Sequence, residues 1–311
     1  MSFETYSIAA IVPCHNEVAA IGQVVRDLRA SVPGIHVYVY DNLSTDGTDV
    51  AAREAGATVR YENTKGKGNV VRRAFADIEA DIYLLIDGDD TYDALAAPEM
   101  IERLLEGPYD HILGVRKQTT DTAYRAGHEA GNKAFNRFVS GVFGTPVNDM
   151  LSGYRIFSRR FVKSFPAVSR EFEIETELTV HCMSLRIPSI EVEVGFKDRP
   201  EGSESKLNTY RDGFKILSLI VQLIRHERPL LFHGVLGTAI LLVALLIGAP
   251  ILIEFAQTGL VPRLPTAILA SSLVLLGAVV WTVGFILDAL TKTRRELARL
   301  VYLGLRAVHP A

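Results

Sequence analysis

The chain has 311 residues, a formal net charge of −3 and a sequence pI of about 6.3. That length allows one large domain or two smaller ones, and the near-neutral balance gives no support to a nucleic-acid surface. Its two cysteines, Cys14 and Cys182, lie far apart without metal-ligand spacing, which fits free thiols in a reducing compartment.

The opening MSFETYS has no basic segment followed by an apolar run, so no cleaved signal peptide is expected. From Ser7 to about Val115 the pattern is strand–helix repeated. SIAAIV reads as a buried strand, followed by PCHNE and the helical AAIGQVVRDLRA. HVYVYD is the next strand, and Ser44, Thr45, Asp46 and Gly47 after it are turn and N-cap residues opening a helix. ATVRYE, DIYLLI and DHILGVR follow as strands, separated by helices over GKGNVVRRAFADI and PEMIERLLE, the latter with proline in its first turn. Strands alternating with helices predict an α/β fold with a mostly parallel sheet covered on both faces.

Between Thr119 and Arg160 the alternation stops. A helical stretch around GHEAGNKAFNRFVSGVFG leads into TPVNDMLSGYRIFSRRF. EFEIETELTVHCMSL then brings Glu171, Glu173, Glu175 and Glu177 close together, either as an acidic cluster or as a solvated face. PSIEVEV is a further strand, and FKDRPEGSESKLNTYRDG has the composition of a loop. Residues 215–228, KILSLIVQLIRHER, are apolar at helical spacing with basic residues towards the end, as in an interfacial amphipathic helix.

The excess apolarity behind a mean hydropathy of +0.18 lies at the C-terminal end. Two apolar spans, about 230–253 and 266–289, are each long enough for a bilayer, and the short connector makes them a hairpin. Arg225, His226 and Arg228 precede the first span, while Lys292, Arg294, Arg295 and Arg299 follow the second. The positive-inside rule then places the catalytic region and the C-terminus in the cytoplasm. The expected plan is a catalytic domain over 1–210, an interfacial helix over 211–229, two membrane helices within 230–290 and a basic cytoplasmic tail over 291–311.

The chemistry collects at strand ends. DIYLLI ends abruptly in Asp87, Gly88, Asp89 and Asp90, and three carboxylates in four positions repel one another unless a cation intervenes. A hard divalent ion, Mg2+ or Mn2+, bound with substrate phosphate answers that; a solvated acidic turn is the alternative. Gly88 leaves the backbone free to approach. Asn16 and Glu17, Asp41, Lys65 and Lys67, and Arg116 recur at other strand C-termini, where open α/β sheets bind ligands. Carboxylates for a metal beside lysines and arginines fit a nucleoside diphosphate, with the cation neutralising the charge on the leaving group. Asp87 and Asp89 are the metal candidates. Asp41 would accept from the base or the ribose, or is an ordinary turn aspartate. Glycines 66 and 68 around Lys67 lack the spacing of a P-loop.

PCHNE, YDNLSTDGT, KGKGNVVRRAF, LLIDGDDTYD, GVR and NDMLSGYRIFSRR, in this order, resemble a family 2 glycosyltransferase of the GT-A fold. More narrowly they resemble the polyprenyl-phosphate glycosyltransferases, the group of dolichyl-phosphate mannose synthase and the bacterial GtrB-type enzymes, over about residues 7–210. The resemblance implies that Pro13, Asn16 and Glu17 line the nucleotide pocket, that Asp41 contacts the base, and that Asp87 and Asp89 are the two carboxylates of a DxD motif. It also implies a basic residue after the fifth strand at Arg116, an acceptor loop with Arg125 and Asn132, and a D-x-x-S-G-[FY]-R motif at Asp149, Ser152, Gly153, Tyr154 and Arg155. Glu175 and Glu177 sit where members carry an acidic pair, and Arg199, Ser205 and Lys206 match a loop that closes over the diphosphate. The metal motif departs from the family: DGDDTYD stands where many relatives have DADLQ or DADLS, leaving the third ligand open.

The implied reaction moves a sugar with inversion from a nucleotide-sugar donor, taken as a UDP-sugar, to polyprenyl phosphate at the cytoplasmic face of the inner membrane. Arg116 and Arg125 would take the acceptor phosphate, and Asp149 would orient the site or act as base. A hydroxyl acceptor and a non-catalytic membrane scaffold are the competing readings; no Q-x-x-R-W of processive synthases is present. Two spans per chain are too few for a translocation path, so a separate flippase and a homo-oligomer packed through the membrane helices are expected.

Overall fold

The structure, a computed structural model, describes residues 5–118, 141, 148–166, 174–197, 218 and 221–308. Seven strands form one sheet: β1 (Ile8–Cys14), β2 (His36–Asp41), β3 (Thr58–Tyr61), β4 (Ile82–Leu85), β5 (His111–Gln118), β6 (Arg155–Ser158) and β7 (Ser189–Phe196), in the order β3-β2-β1-β4-β6-β5-β7. Among the described helices, α1 (Ile21–Ser31), α2 (Thr48–Glu54), α3 (Lys67–Asp77) and α4 (Ala97–Glu106) connect the early strands, as the sequence predicts. Helices α5 (Arg159–Ser164) and α6 (Ile174–Leu185) follow β6.

Period-two alternation puts a core on each face of the sheet. Along β1, Ile8, Ala10 and Val12 join one cluster with α1 and α4, while Ala9 and Ile11 join the other with α3, α5 and α6. All four residues of β4 are buried, as a strand covered on both sides requires.

One strand departs from the simple parallel pattern. The sheet is mixed because β6 runs antiparallel between β4 and β5. The chain approaches β6 from Asp149 beside Arg116, on the C-terminal rim, and so must run back across the sheet.

The chain divides into two compact units, Met1–Tyr210 with Ala298–Ala311, and Arg211–Leu297. In the second, residues 221–227 are helical, and α7 (Pro229–Thr258) and α8 (Leu264–Gly304) are both long and apolar enough to cross a membrane. They pack through small residues: a β-carbon on Gly277 would meet Leu241 at 2.7 Å, and one on Gly284 would meet His233 at 2.9 Å. Leu242, Leu245, Leu246, Leu275 and Phe285 stand exposed around them.

Helix α8 continues well beyond the predicted span. Its last turns, from Ala298, belong to the first unit, where Tyr302 is buried in the core cluster with Phe161 and Leu185. The Tyr302 hydroxyl donates to Asp110 Oδ2 at 2.6 Å, and Arg299 donates to the Leu185 carbonyl at 2.8 Å.

Candidate active site

The loops after β1 and β2 are stitched together. The Asn16 amide donates to Ser44 Oγ at 3.0 Å, and its side-chain oxygen accepts from the Thr45 amide at 2.9 Å. The Glu17 amide donates to Thr48 Oγ1 at 2.9 Å, and the Val18 amide to Asp46 Oδ2 at 3.1 Å. Asp41 accepts from the Ser44 amide at 3.2 Å, so the turn role open in the sequence is one it performs. Asn16, Leu43 and Asp90 hold φ of 57°, 66° and 56°. Such left-handed backbone costs energy at Leu43 above all, and its concentration in the loops of one rim is typical of a functional site.

Sequence reasoning passed over Asn42, which organises the third loop. Its side-chain nitrogen donates to the Glu62 and Thr64 carbonyls at 2.7 and 2.9 Å, and its oxygen accepts from the Gly66 amide at 2.7 Å. That fixes the start of α3 and delivers Lys67 to the rim. A buried strand-end asparagine ahead of the turn signal was the available clue.

At the end of β4, Gly88 passes so close to β1 that a β-carbon there would overlap the Cys14 sulfur. Burial pushes the Cys14 thiol well above its ordinary value, and the carboxylates of Glu17, Asp41, Asp87 and Asp89 push it further. These four acids come from the ends of the adjacent strands β1, β2 and β4. Asp87 is ion-paired with Lys67, whose ammonium also lies 2.5 Å from Glu175 Oε1. Burial works against the charge on Lys67, but Asp87 and Glu175 outweigh it and hold the ammonium protonated. Asp89 Oδ1 accepts from Thr91 Oγ1 at 2.7 Å. Asp90 turns away to Lys197 Nζ at 2.7 Å, so the extra acid of DGDD serves an ion pair with β7's end. Lys197 and Glu175 are thus further rim residues.

Among the described residues, no three His, Cys, Asp or Glu side chains form a preformed metal cage. The donor set nonetheless fits Mg2+ or Mn2+, which bind through one or two carboxylates and complete their shell with water and substrate phosphate.

The other half of the rim is built around Asp149. Arg116 grips it with Nε on Oδ2 and Nη2 on Oδ1, both at 2.7 Å, and the guanidinium lies 5.4 Å from the Phe196 ring centroid. Both Asp149 oxygens are engaged, which favours orientation over proton abstraction. Arg155, fully buried, donates to the Ser152 and Met150 carbonyls at 2.9 and 2.7 Å and to Thr179 Oγ1 at 2.8 Å. It shapes the 149–153 turn from beneath. Ser152 Oγ donates to the Gly114 carbonyl at 2.5 Å, and the Gly153 amide to Tyr92 Oη at 2.8 Å. Burial pushes the Tyr92 hydroxyl up to about 12. Gly153 touches the Asp87 carboxylate so closely that a β-carbon would collide with it.

The rim thus brings together Pro13, Asn16, Glu17, Asp41, Lys67, Asp87, Gly88, Asp89, Arg116 and Asp149. Arg125, Asn132, Arg199, Ser205 and Lys206 lie outside the described residues.

A seven-stranded α/β sheet with acids and basic groups along its carboxyl rim places them where open α/β folds bind ligands. The sequence matches the Glycosyl transferase family 2 profile over residues 9–165, and the chain belongs to that family. It is 36% identical to the glycosyltransferase AglJ of Haloferax volcanii over 235 residues, 75% of this chain and 77% of that protein. It is 28% identical to the dolichyl-phosphate hexose transferase of the same organism over 222 residues, 71% of this chain and 95% of that one. In fold it is similar to glucosyl-3-phosphoglycerate synthase of Mycobacterium tuberculosis, crystallised with Mn2+, UDP and glucosyl-3-phosphoglycerate, with a TM-score of 0.58, 21% identity, and 72% and 80% of the two chains covered. The protein is a glycosyltransferase.

Proposed function

We propose that this enzyme transfers a sugar with inversion from a nucleoside-diphosphate donor, a UDP-sugar, to an undecaprenyl-type polyprenyl phosphate at the cytoplasmic face of the inner membrane. The observation that carries the reading is the gathering of Asp41, Asp87, Asp89 and Lys67 at the carboxyl ends of the adjacent strands β2, β1 and β4, with Asp87 ion-paired to Lys67. The two apolar helices favour a lipid acceptor, as does the resemblance to a dolichyl-phosphate hexose transferase. Mn2+ and UDP in the glucosyl-3-phosphoglycerate synthase structure favour the donor and the cation.

Mg2+ or Mn2+, when bound, would neutralise the negative charge developing on the leaving diphosphate. Asp89 and Asp87 would hold it. A polyprenyl phosphate has a second pKa near ~6 and is mostly dianionic at neutral pH, so the acceptor needs placement more than deprotonation. Arg116, its plane fixed by Asp149, takes the acceptor phosphate in this reading, together with Arg125 and Asn132. Arg199, Ser205 and Lys206 close over the diphosphate, and Pro13, Asn16, Glu17 and Asp41 line the nucleoside pocket. The same reading assigns 211–229 to the interface, 230–290 to the bilayer and 291–311 to the cytoplasm, in a homo-oligomer that supplies a separate flippase and envelope glycan assembly.

The test is a donor screen on the full chain in detergent with undecaprenyl phosphate and Mg2+ or Mn2+. Radiolabelled UDP-glucose, UDP-N-acetylglucosamine and GDP-mannose are each tried, and label entering organic solvent is counted. Transfer from a UDP-sugar, lost with EDTA, is expected. Label on a hydroxyl acceptor in place of the lipid phosphate would overturn the acceptor assignment.

A further inference from the structure

Lys67 is buried between two acids from different parts of the chain: Asp87 of the metal motif, and Glu175 on α6, 4% exposed. Glu175 Oε2 is buried without a hydrogen-bond partner among the described residues. An acid placed only to stabilise the fold would have both oxygens satisfied, because a bare buried acceptor is costly. The charge geometry gives it a different use. A divalent cation arriving with a nucleoside diphosphate competes with the Lys67 ammonium for Asp87. With Glu175 in place, Lys67 keeps a carboxylate partner when Asp87 turns to the cation. Without it, Lys67 has Asp87 as its remaining ion-pair partner among the described residues and holds it back.

We propose that Glu175 is a positioning residue of the donor site, which acts through Lys67 to release Asp87 to the cation–nucleotide complex. This rests on the donor reading above. Glu175 touches no reacting atom in this account; it sets how tightly Lys67 competes. Its remoteness from the metal motif, 88 positions along the chain in sequence terms, is bridged by the single ammonium.

The experiment titrates Mn2+ with UDP, and separately with GDP, into the full chain in detergent, following binding by calorimetry and the accompanying rise in melting temperature. Wild type, Glu175→Gln, Lys67→Met and the double variant are compared. Glu175→Gln is expected to weaken Mn2+–UDP binding on the order of tenfold, and to do so only when Lys67 is present, so the same change in the Lys67→Met background leaves affinity unaltered. Glu175→Asp, which keeps the charge but withdraws it by one methylene, should fall between and serves if the amide variant does not fold. Unchanged affinity in folded Glu175→Gln, or an equal loss with and without Lys67, would overturn the proposal. Wild type that binds neither nucleotide with Mn2+ would instead overturn the donor reading beneath it, and the two failures are told apart by the wild-type arm.

Discussion

Two buried acidic centres occupy opposite rims of the same sheet, and they are built differently. At the N-terminal rim, just before β5, Asp110 is saturated by the protein itself. Ser158 Oγ and Arg160 Nε donate to Oδ1, each at 2.6 Å, while Tyr302 Oη at 2.6 Å and Arg160 Nη2 serve Oδ2. Arg160 also lies 4.7 Å from the Tyr302 ring centroid. At the C-terminal rim, Glu17, Asp41, Asp87 and Asp89 lie at the ends of the adjacent strands β1, β2 and β4, and Lys67 is itself shared between Asp87 and Glu175. A saturated carboxylate marks a structural joint. A surplus of carboxylates is what the proposed function assigns to a cation brought by a ligand.

The comparison breaks if the two centres respond alike to loss of charge. The largest expected effect is at the saturated one: Asp110→Ala leaves Ser158, Tyr302 and the partly buried Arg160 without their shared acceptor and should cost about 3–5 kcal/mol, read as a lowered unfolding midpoint in detergent. Asp89→Asn should do the reverse, lowering turnover at least about 100-fold while the melting temperature holds, since it removes repulsion and not a joint. Tyr302→Phe deletes one hydrogen bond to the Asp110 carboxylate and should cost about 2 kcal/mol, measured by the same unfolding curve. Asp90→Asn is the smallest: Lys197 is about half exposed, so solvent screening keeps the loss below about 1 kcal/mol, and turnover distinguishes this ion pair from a metal ligand by staying near wild type.

How much of this could be read from the chain follows from the range of each interaction. The strands β1 to β5 and β7 and the helices between them carry local periodicity and turn residues, and they lie where the sequence predicts. The rim acids were legible because each closes such a strand. Strand β6 was not, because Arg155–Ser158 is four residues long and runs directly into a helix without a turn signal. Glu175 was ambiguous for a related reason: acids at two-residue spacing mimic one face of a strand, whereas Ile174–Leu185 is a helix buried nearly all round. The role of the extra Asp90 stayed open because nothing local announces its partner Lys197, 107 residues away. The Tyr302–Asp110 bond joins residues 192 apart, and a basic sequence near the C-terminus reads as a tail when its tyrosine contact is invisible. Local chemistry was readable; the ion pairs that sort structural acids from functional ones are long-range.

The central claim is that the acid surplus at the C-terminal rim exists to receive a cation with a nucleotide sugar. It is tested most directly by sugar transfer to undecaprenyl phosphate from labelled UDP-sugars, in wild type and Asp89→Asn, across a titration of Mn2+ from EDTA-treated protein. The account predicts transfer that is absent without the cation, rises with it in wild type, and stays at least about 100-fold lower in the variant at saturating cation. Full transfer in EDTA, or an Asp89→Asn enzyme as active as wild type, would contradict it.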